Sequence, residues 1–309
     1  MATIIDGQAV AEQVRGELRD RIAALKAVGV TPGLAAVLVG DNPASISYVR
    51  GKARAAAELE IFAETVRQPA EISEEHLLGL IADLNADPRF HGMIVQLPLP
   101  EHIDEDRATR AVSPEKDADG LHPFNLGLLL RGEGKLLPAT PSGVQQLLLR
   151  SGHDPAGKHV VIAGRSNLVG KPLANILLQK APGANATVTV CHTGTPNLAA
   201  VTRQADILIA AMGRPGAITA EMVRPGAVVI DVGTSRVDDP TRKRGYRLAG
   251  DVDFDAVASI AGAITPVPGG VGPMTVAMLL VNTVTAAERQ TAAASMPRTD
   301  GRALVREPG

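Results

Sequence analysis

The stretch "VVIAGRSNLVGKPLANILL" (160–178) decides the fold. An apolar run ends at Gly164, a second glycine stands at Gly170, and a helical apolar pattern starts around Pro172, a residue suited to a first helical turn. Strand, glycine turn and helix in that order leave free N–H groups and the positive end of a helix dipole at the turn, which suits a dinucleotide pyrophosphate. The spacing is not G-x-G-x-x-G, and a plain strand–helix connection stays open. A P-loop is excluded, because five residues separate the glycines and Pro172 follows Lys171 where Ser or Thr is required.

Downstream, "TVTVC" (187–191), "DILIA" (206–210) and "AVVID" (227–231) read as buried strands. The second strand of the unit runs into "CHTGT" (191–195), where a carboxylate for a ribose diol is absent. Arg165, directly after the first glycine, and the hydroxyls of Thr193 and Thr195 suit a 2′-phosphate instead, so the cofactor expected is NADP. A solvated surface Arg165 is the plain alternative.

Upstream, helix and strand also alternate. Asp6 caps a helix that runs to Val28 and stops at Gly29, and Asn42 or Ser45 caps the next one. Strands are expected at 33–40, 61–66 and 92–100, with a helix near 73–85. Such alternation predicts α/β architecture with a mostly parallel sheet. Between Ser113 and Pro141 the chain turns rich in Pro, Gly and Asp and reads as an interdomain loop, after which helices are expected at 142–151 and 273–290. From Thr291 the polar tail reads as disordered.

Within "DNPASISYVRGKARAAAELEI" (41–61), Tyr48 and Lys52 are four apart and share one helix face. A short-chain dehydrogenase pair is excluded by order, since there the glycine loop comes first. A half-buried Tyr beside an exposed Lys remains the bland reading. Gln96 interrupts the apolar run "GMIVQLPLP" and needs a partner, a cleft or a ligand. In "KDADG" (116–120), Asp119 before Gly120 reads as a turn residue, and Asp117 is less easily explained as one. "ITPVPGGVGPMT" (264–275) is stiff and lets backbone approach a ligand closely, at Pro268 and Gly269 among others.

Composition sets the outer limits. A net charge of −2 over 309 residues provides no field for nucleic acid or an anionic membrane. No apolar stretch nears the roughly 18 residues of a membrane span. No signal peptide is recognisable at the N-terminus, and the single cysteine, Cys191, rules out an intrachain disulfide and fits a reducing cytoplasm. No metal site is assigned.

Taken in order, "VGDNPASISYVRGKARAAAELEI", "GMIVQLPLP", "PEKDADGLHPFNLG", "PATPSGV", "GRSNLVGKP", "VCHTGT", "GDVDF" and "TPVPGGVGPMTVAMLLVNT" resemble the bifunctional methylenetetrahydrofolate dehydrogenase/methenyltetrahydrofolate cyclohydrolase family over residues 2–290. The resemblance implies a folate-binding catalytic lobe at 1–138 completed by the helix at 273–290, and a Rossmann-type NADP lobe at 139–272, with the cleft between them. It implies Lys52 as the catalytic lysine with Tyr48 and Gln96 beside it, and substrate contacts from Tyr48, Asp117, Pro268 and Gly269. Gly164, Arg165, Ser166, Gly170, Thr193 and Thr140 fall on the cofactor site. A folate substrate, a homodimer and a cytoplasmic location follow from the same resemblance. Ala118, Ala139 and Gly194 depart from the family's usual residues, Gly194 removing a common basic group. A shikimate-dehydrogenase-like enzyme with the same two-lobe plan and a non-catalytic ligand sensor stand as alternatives.

Overall fold

The computed structural model describes residues 1–242 and 245–295. A two-residue strand, β1 (Thr3–Ile4), opens the chain, and Asp6 caps α1 (Gly7–Ala27) by accepting from the N–H groups of Gln8 and Ala9. The first lobe follows as β2 (Gly33–Val39), α2 (Pro43–Glu58), β3 (Phe62–Gln68), α3 (Glu74–Ala86), β4 (Gly92–Val95) and α4 (Glu105–Ala111). Asn42, not Ser45, is the cap of α2, accepting from Ala44 and Ser45 N–H, with Pro43 at the first helical position. These strands form a three-stranded parallel sheet in the order β3-β2-β4. Every residue of β2 is buried, because helices cover both its faces.

The segment expected to be an interdomain loop contains α5 (Pro123–Leu130) and the start of α6 (Ala139–Arg150). The second lobe is built from β5 (His159–Ala163), α7 (Gly170–Leu177), β6 (Thr187–Cys191), α8 (Leu198–Thr202), β7 (Ile207–Ala210), β8 (Val228–Asp231), the hairpin strands β9 (Ser235–Asp238) and β10 (Tyr246–Ala249), α9 (Phe254–Ala258) and β11 (Ala263–Ile264). Its sheet has six parallel strands in the order β1-β11-β8-β7-β5-β6. The chain moves outward from β5 to β6, then returns to β7 on the other side of β5, which puts a topological switch point between β5 and β7. The N-terminus therefore departs from the expected plan: Thr3 and Ile4 pair with Ala263 and Ile264 at the edge of the second lobe's sheet.

The last helix, α10 (Val271–Ser295), joins the lobes. Met274 and Ala277 pack into the core of the second lobe, while Leu279, Leu280, Val284 and Ala287 pack into that of the first. By length and composition this helix is apolar enough to cross a membrane, contrary to the sequence expectation that no stretch comes near. Its apolarity is used inside the protein: 56% of the apolar window is buried against the two lobes. The helix also continues past the expected end, so Thr291–Ser295 are helical rather than tail, and 296–309 lie outside the described residues.

Candidate active site

Strand β4 ends at Val95, so Gln96 is the first residue past its C-terminal end instead of a buried strand position. There it meets α2. Lys52 Nζ donates to Gln96 Oε1 at 3.2 Å, and Gln96 Nε2 donates to the Leu97 carbonyl at 2.7 Å, which fixes the amide's orientation. Tyr48, one turn earlier on α2, is 52% exposed. These three side chains line one cavity of about 370 Å³ together with Asp119, Leu121, Thr140, Leu168, Val169, Val232, Thr234 and the first turns of α10. Residues from both lobes thus face each other across it.

The two aspartates of "KDADG" sit differently from what the sequence suggests. Asp117 is 4% exposed and lies outside this cavity. Its carboxylate accepts from the N–H groups of Gly120 (3.0 Å), Leu121 (3.2 Å) and His122 (2.8 Å), and from Asn125 Nδ2 (2.8 Å). It builds the turn that leads into α5 and has no capacity left for a substrate. Asp119, read from sequence as the turn residue, lines the cavity instead. Burial pushes its carboxyl up, the Lys52 cation pulls against that, and the Asp117 charge adds to it. A carboxylate in a cleft with its ionisation poised by a neighbouring lysine has the signature of a working group.

The second lobe's contribution begins at the glycine turn. Gly164 adopts φ +140°, and a Cβ there would lie 2.1 Å from the Ala211 carbonyl oxygen. A Cβ on Gly170 would lie 2.1 Å from the Gly164 carbonyl oxygen, so both glycines are needed for the turn to close. Ser166 Oγ accepts from Val169 N–H at 3.1 Å, and the exposed Arg165 follows Gly164 at the rim. Gly164, Arg165, Ser166, His192, Thr193 and Leu198 enclose a second cavity of about 180 Å³ at the β5–β6 end of the sheet. A glycine cradle beside a helix start, with a cation and hydroxyls next to it, suits an NADP cofactor. Thr140 lies in the larger cleft, where its hydroxyl is hydrogen-bonded to Thr275 at 2.9 Å. Pro268 and Gly269 are not among the residues lining that cleft; the backbone reaches it slightly later, through Val271 and Gly272. Gly269 and Gly270 instead pack against Gly7, where a Cβ would collide with the Gly270 carbonyl.

Sequence reading also missed two buried carboxylates behind the cleft. Asp231, 3% exposed at the end of β8, accepts from the N–H groups of Gly233, Asp251 and Val252. Asp251 accepts from Met212, Gly213 and Arg214. Together they tie three loops at the C-terminal edge of the sheet, including the one that carries Val232 and Thr234 to the cleft wall. Burial pushes the Asp231 carboxyl up to about 6 against those three donors. The closing residues of "AVVID" and the "GDVDF" stretch were the available signals.

Two α/β lobes, a parallel sheet with a glycine turn at its switch point and a lysine facing that turn across a cleft define a two-lobed NAD(P)-dependent dehydrogenase. Residues 5–119 match the tetrahydrofolate dehydrogenase/cyclohydrolase catalytic domain, and residues 138–291 match that family's NAD(P)-binding domain. Bifunctional protein FolD of Dehalococcoides mccartyi (strain CBDB1) is 59% identical over 290 residues, covering 93% of this chain and 97% of the relative. That of Syntrophus aciditrophicus is 56% identical over 286 residues, with 93% and 97% covered. Among solved structures, bifunctional FolD from Campylobacter jejuni superposes with a TM-score of 0.87 at 45% identity, covering 94% of this chain and all of that one. The Trypanosoma brucei enzyme, in complex with NADP and an inhibitor, gives 0.88 at 44%, with 94% and 98% covered. The chain belongs to the tetrahydrofolate dehydrogenase/cyclohydrolase family.

Proposed function

We propose that Lys52, Gln96 and Asp119 carry both of the family's reactions in the single interlobe cleft, with Asp119 in place of Asp117 as the group that grips the pterin. The protein is an NADP-dependent methylenetetrahydrofolate dehydrogenase and methenyltetrahydrofolate cyclohydrolase. Gly164, Arg165 and Ser166 at the glycine turn would hold NADP, which would supply the acceptor for the hydride lost from the substrate's methylene carbon. The two flanking folate nitrogens stabilise the resulting cation, so this step needs positioning more than a strong base. Tyr48, exposed on the face of α2 that carries Lys52, offers a flat surface at the cleft mouth. Asp119 presents an acceptor to the pterin's N–H groups, a charge-assisted contact that orients the ring.

In the second reaction water adds to the methenyl carbon and a proton is lost as the ring opens to 10-formyltetrahydrofolate. Lys52, held by Gln96, is the amine at hand to move that proton. The observation that carries this reading is the Lys52–Gln96 hydrogen bond inside a cavity whose far wall comes from the NADP lobe. Lys52→Met is expected to abolish hydrolysis of the methenyl chromophore while NADPH formation from methylenetetrahydrofolate persists at a reduced rate. Wild-type hydrolysis by that variant removes Lys52 from the mechanism. A cytoplasmic homodimer is the assembly we assign, supported by the family resemblance.

A further inference from the structure

Asn282 is a polar amide in the middle of the long apolar helix α10, 3% exposed, with fully buried Leu279, Leu280 and Val284 around it. Burying an amide there is costly unless its donors are satisfied. Both are: Nδ2 donates to the Ala118 carbonyl at 2.9 Å and to the Leu137 carbonyl at 2.7 Å. Ala118 immediately precedes Asp119. Leu137 belongs to the strand of chain that enters α6 and is pinned to Asp119 from the other side, where Ala139 N–H donates to the Asp119 carbonyl at 3.0 Å. The two segments touch so closely that a Cβ on Gly120 would lie 2.3 Å from the Leu137 carbonyl group. About two turns earlier on the same helix, Thr275 holds Thr140.

We propose that Asn282 is a positioning residue for the folate step: its amide clamps the 118–120 segment against the entrance to α6 and so aims Asp119 into the cleft. The proposal rests on the reading of Asp119 as the pterin-binding carboxylate. Asn282 lies behind the site, so it acts through Asp119 and not on the substrate. The clamp is two-sided. A side chain that cannot donate twice leaves a buried carbonyl unpaired, and the segment relieves this by moving, which misaims the carboxylate.

The test is a double-mutant cycle on the full-length enzyme using Asn282→Asp and Asp119→Asn, with KM for methylenetetrahydrofolate and for NADP measured for each. Asn282→Asp keeps the shape of the side chain and removes its paired donors. It is expected to raise the folate KM roughly tenfold and to leave the NADP KM within about twofold. In the Asp119→Asn background the same change is expected to add less than about twofold, because the group being aimed is already gone. Asn282→Ser, which breaks the clamp without adding charge, carries the cycle if the Asp variant does not fold. A folded variant with wild-type folate KM overturns the proposal, as does a tenfold effect that persists in the Asp119→Asn background or a parallel rise in both KM values. A wild-type folate KM for Asp119→Asn alone overturns the pterin reading and this inference with it.

Discussion

Replacing Asp117 and Asp119 one at a time should separate architecture from binding across a distance of two residues. Asp117→Ala strips the acceptor from three backbone N–H groups and one side-chain amide, at a site only 4% exposed. Each bond to an ionised group contributes about 1.5–3 kcal/mol. The four share one carboxylate and do not add, and removing one partner of a buried ionic network costs about 3–5 kcal/mol. At about 2 °C per kcal/mol for a chain of this size, Tm should fall by roughly 6–10 °C. Asp119→Ala removes a carboxylate whose burial is a cost to the folded state, so its Tm should stay within about 2 °C of wild type. Its folate KM should rise by roughly 10–100-fold through the lost charge-assisted contacts. Differential scanning calorimetry and steady-state kinetics on the same preparations supply both readouts. A wild-type Tm for Asp117→Ala, combined with a selective loss of folate affinity, would refute the assignment and restore Asp117 to the substrate.

Gly164→Ala should cost NADP affinity more than folate affinity, because the new Cβ meets the Ala211 carbonyl oxygen at 2.1 Å and the φ of +140° disfavours any side chain; titration of NADPH fluorescence measures it, and unchanged affinity would contradict the cradle. Asp231 gives a pH signature. Its carboxyl is raised from 3.8 to about 6, so between those values the folded state holds a proton that the unfolded chain has released. Stability from this group is therefore complete below about pH 4 and lost as pH rises through 6, by up to about 3 kcal/mol. Asp231→Asn should remove that decline from a urea-denaturation series, and curves parallel to wild type would show that Asp231 does not titrate in the window.

The parts of the fold legible in the sequence were those where a period meets burial. The turn at 160–178 and the strands around it were readable because a parallel strand covered on both faces carries a continuous apolar run, as Val160–Ala163, Ile207–Ala210 and Val228–Ile230 do. Strand β1 was not readable: two residues carry no period, and Ile4 remains exposed at the sheet edge. The hairpin strands β9 and β10 were hidden for a related reason, since they pair with each other outside the main sheet and alternate between partly buried and exposed residues.

The exchange of Asp117 and Asp119 shows where local reading of a loop runs out. The sequence D-A-D-G contains a turn-forming Asp–Gly pair, and that pattern pointed to Asp119 as the turn's acceptor. What decides the matter is where the unpaired donors lie. Residues 116–118 run beside β4, with Met93 N–H donating to the Lys116 carbonyl and Ala118 N–H to that of Met93. Gly120, Leu121 and His122, the last of which caps α5, turn their N–H groups toward the Asp117 carboxylate. Asp117 reaches them three to five residues on, and Asn125 closes the network from inside α5. Asp119 is thereby released from structural duty and left facing the lysine. A helix expected at 123–130 would have exposed this logic in advance, because a helix start requires acceptors upstream; reading the segment as loop concealed both the helix and the carboxylate that supports it.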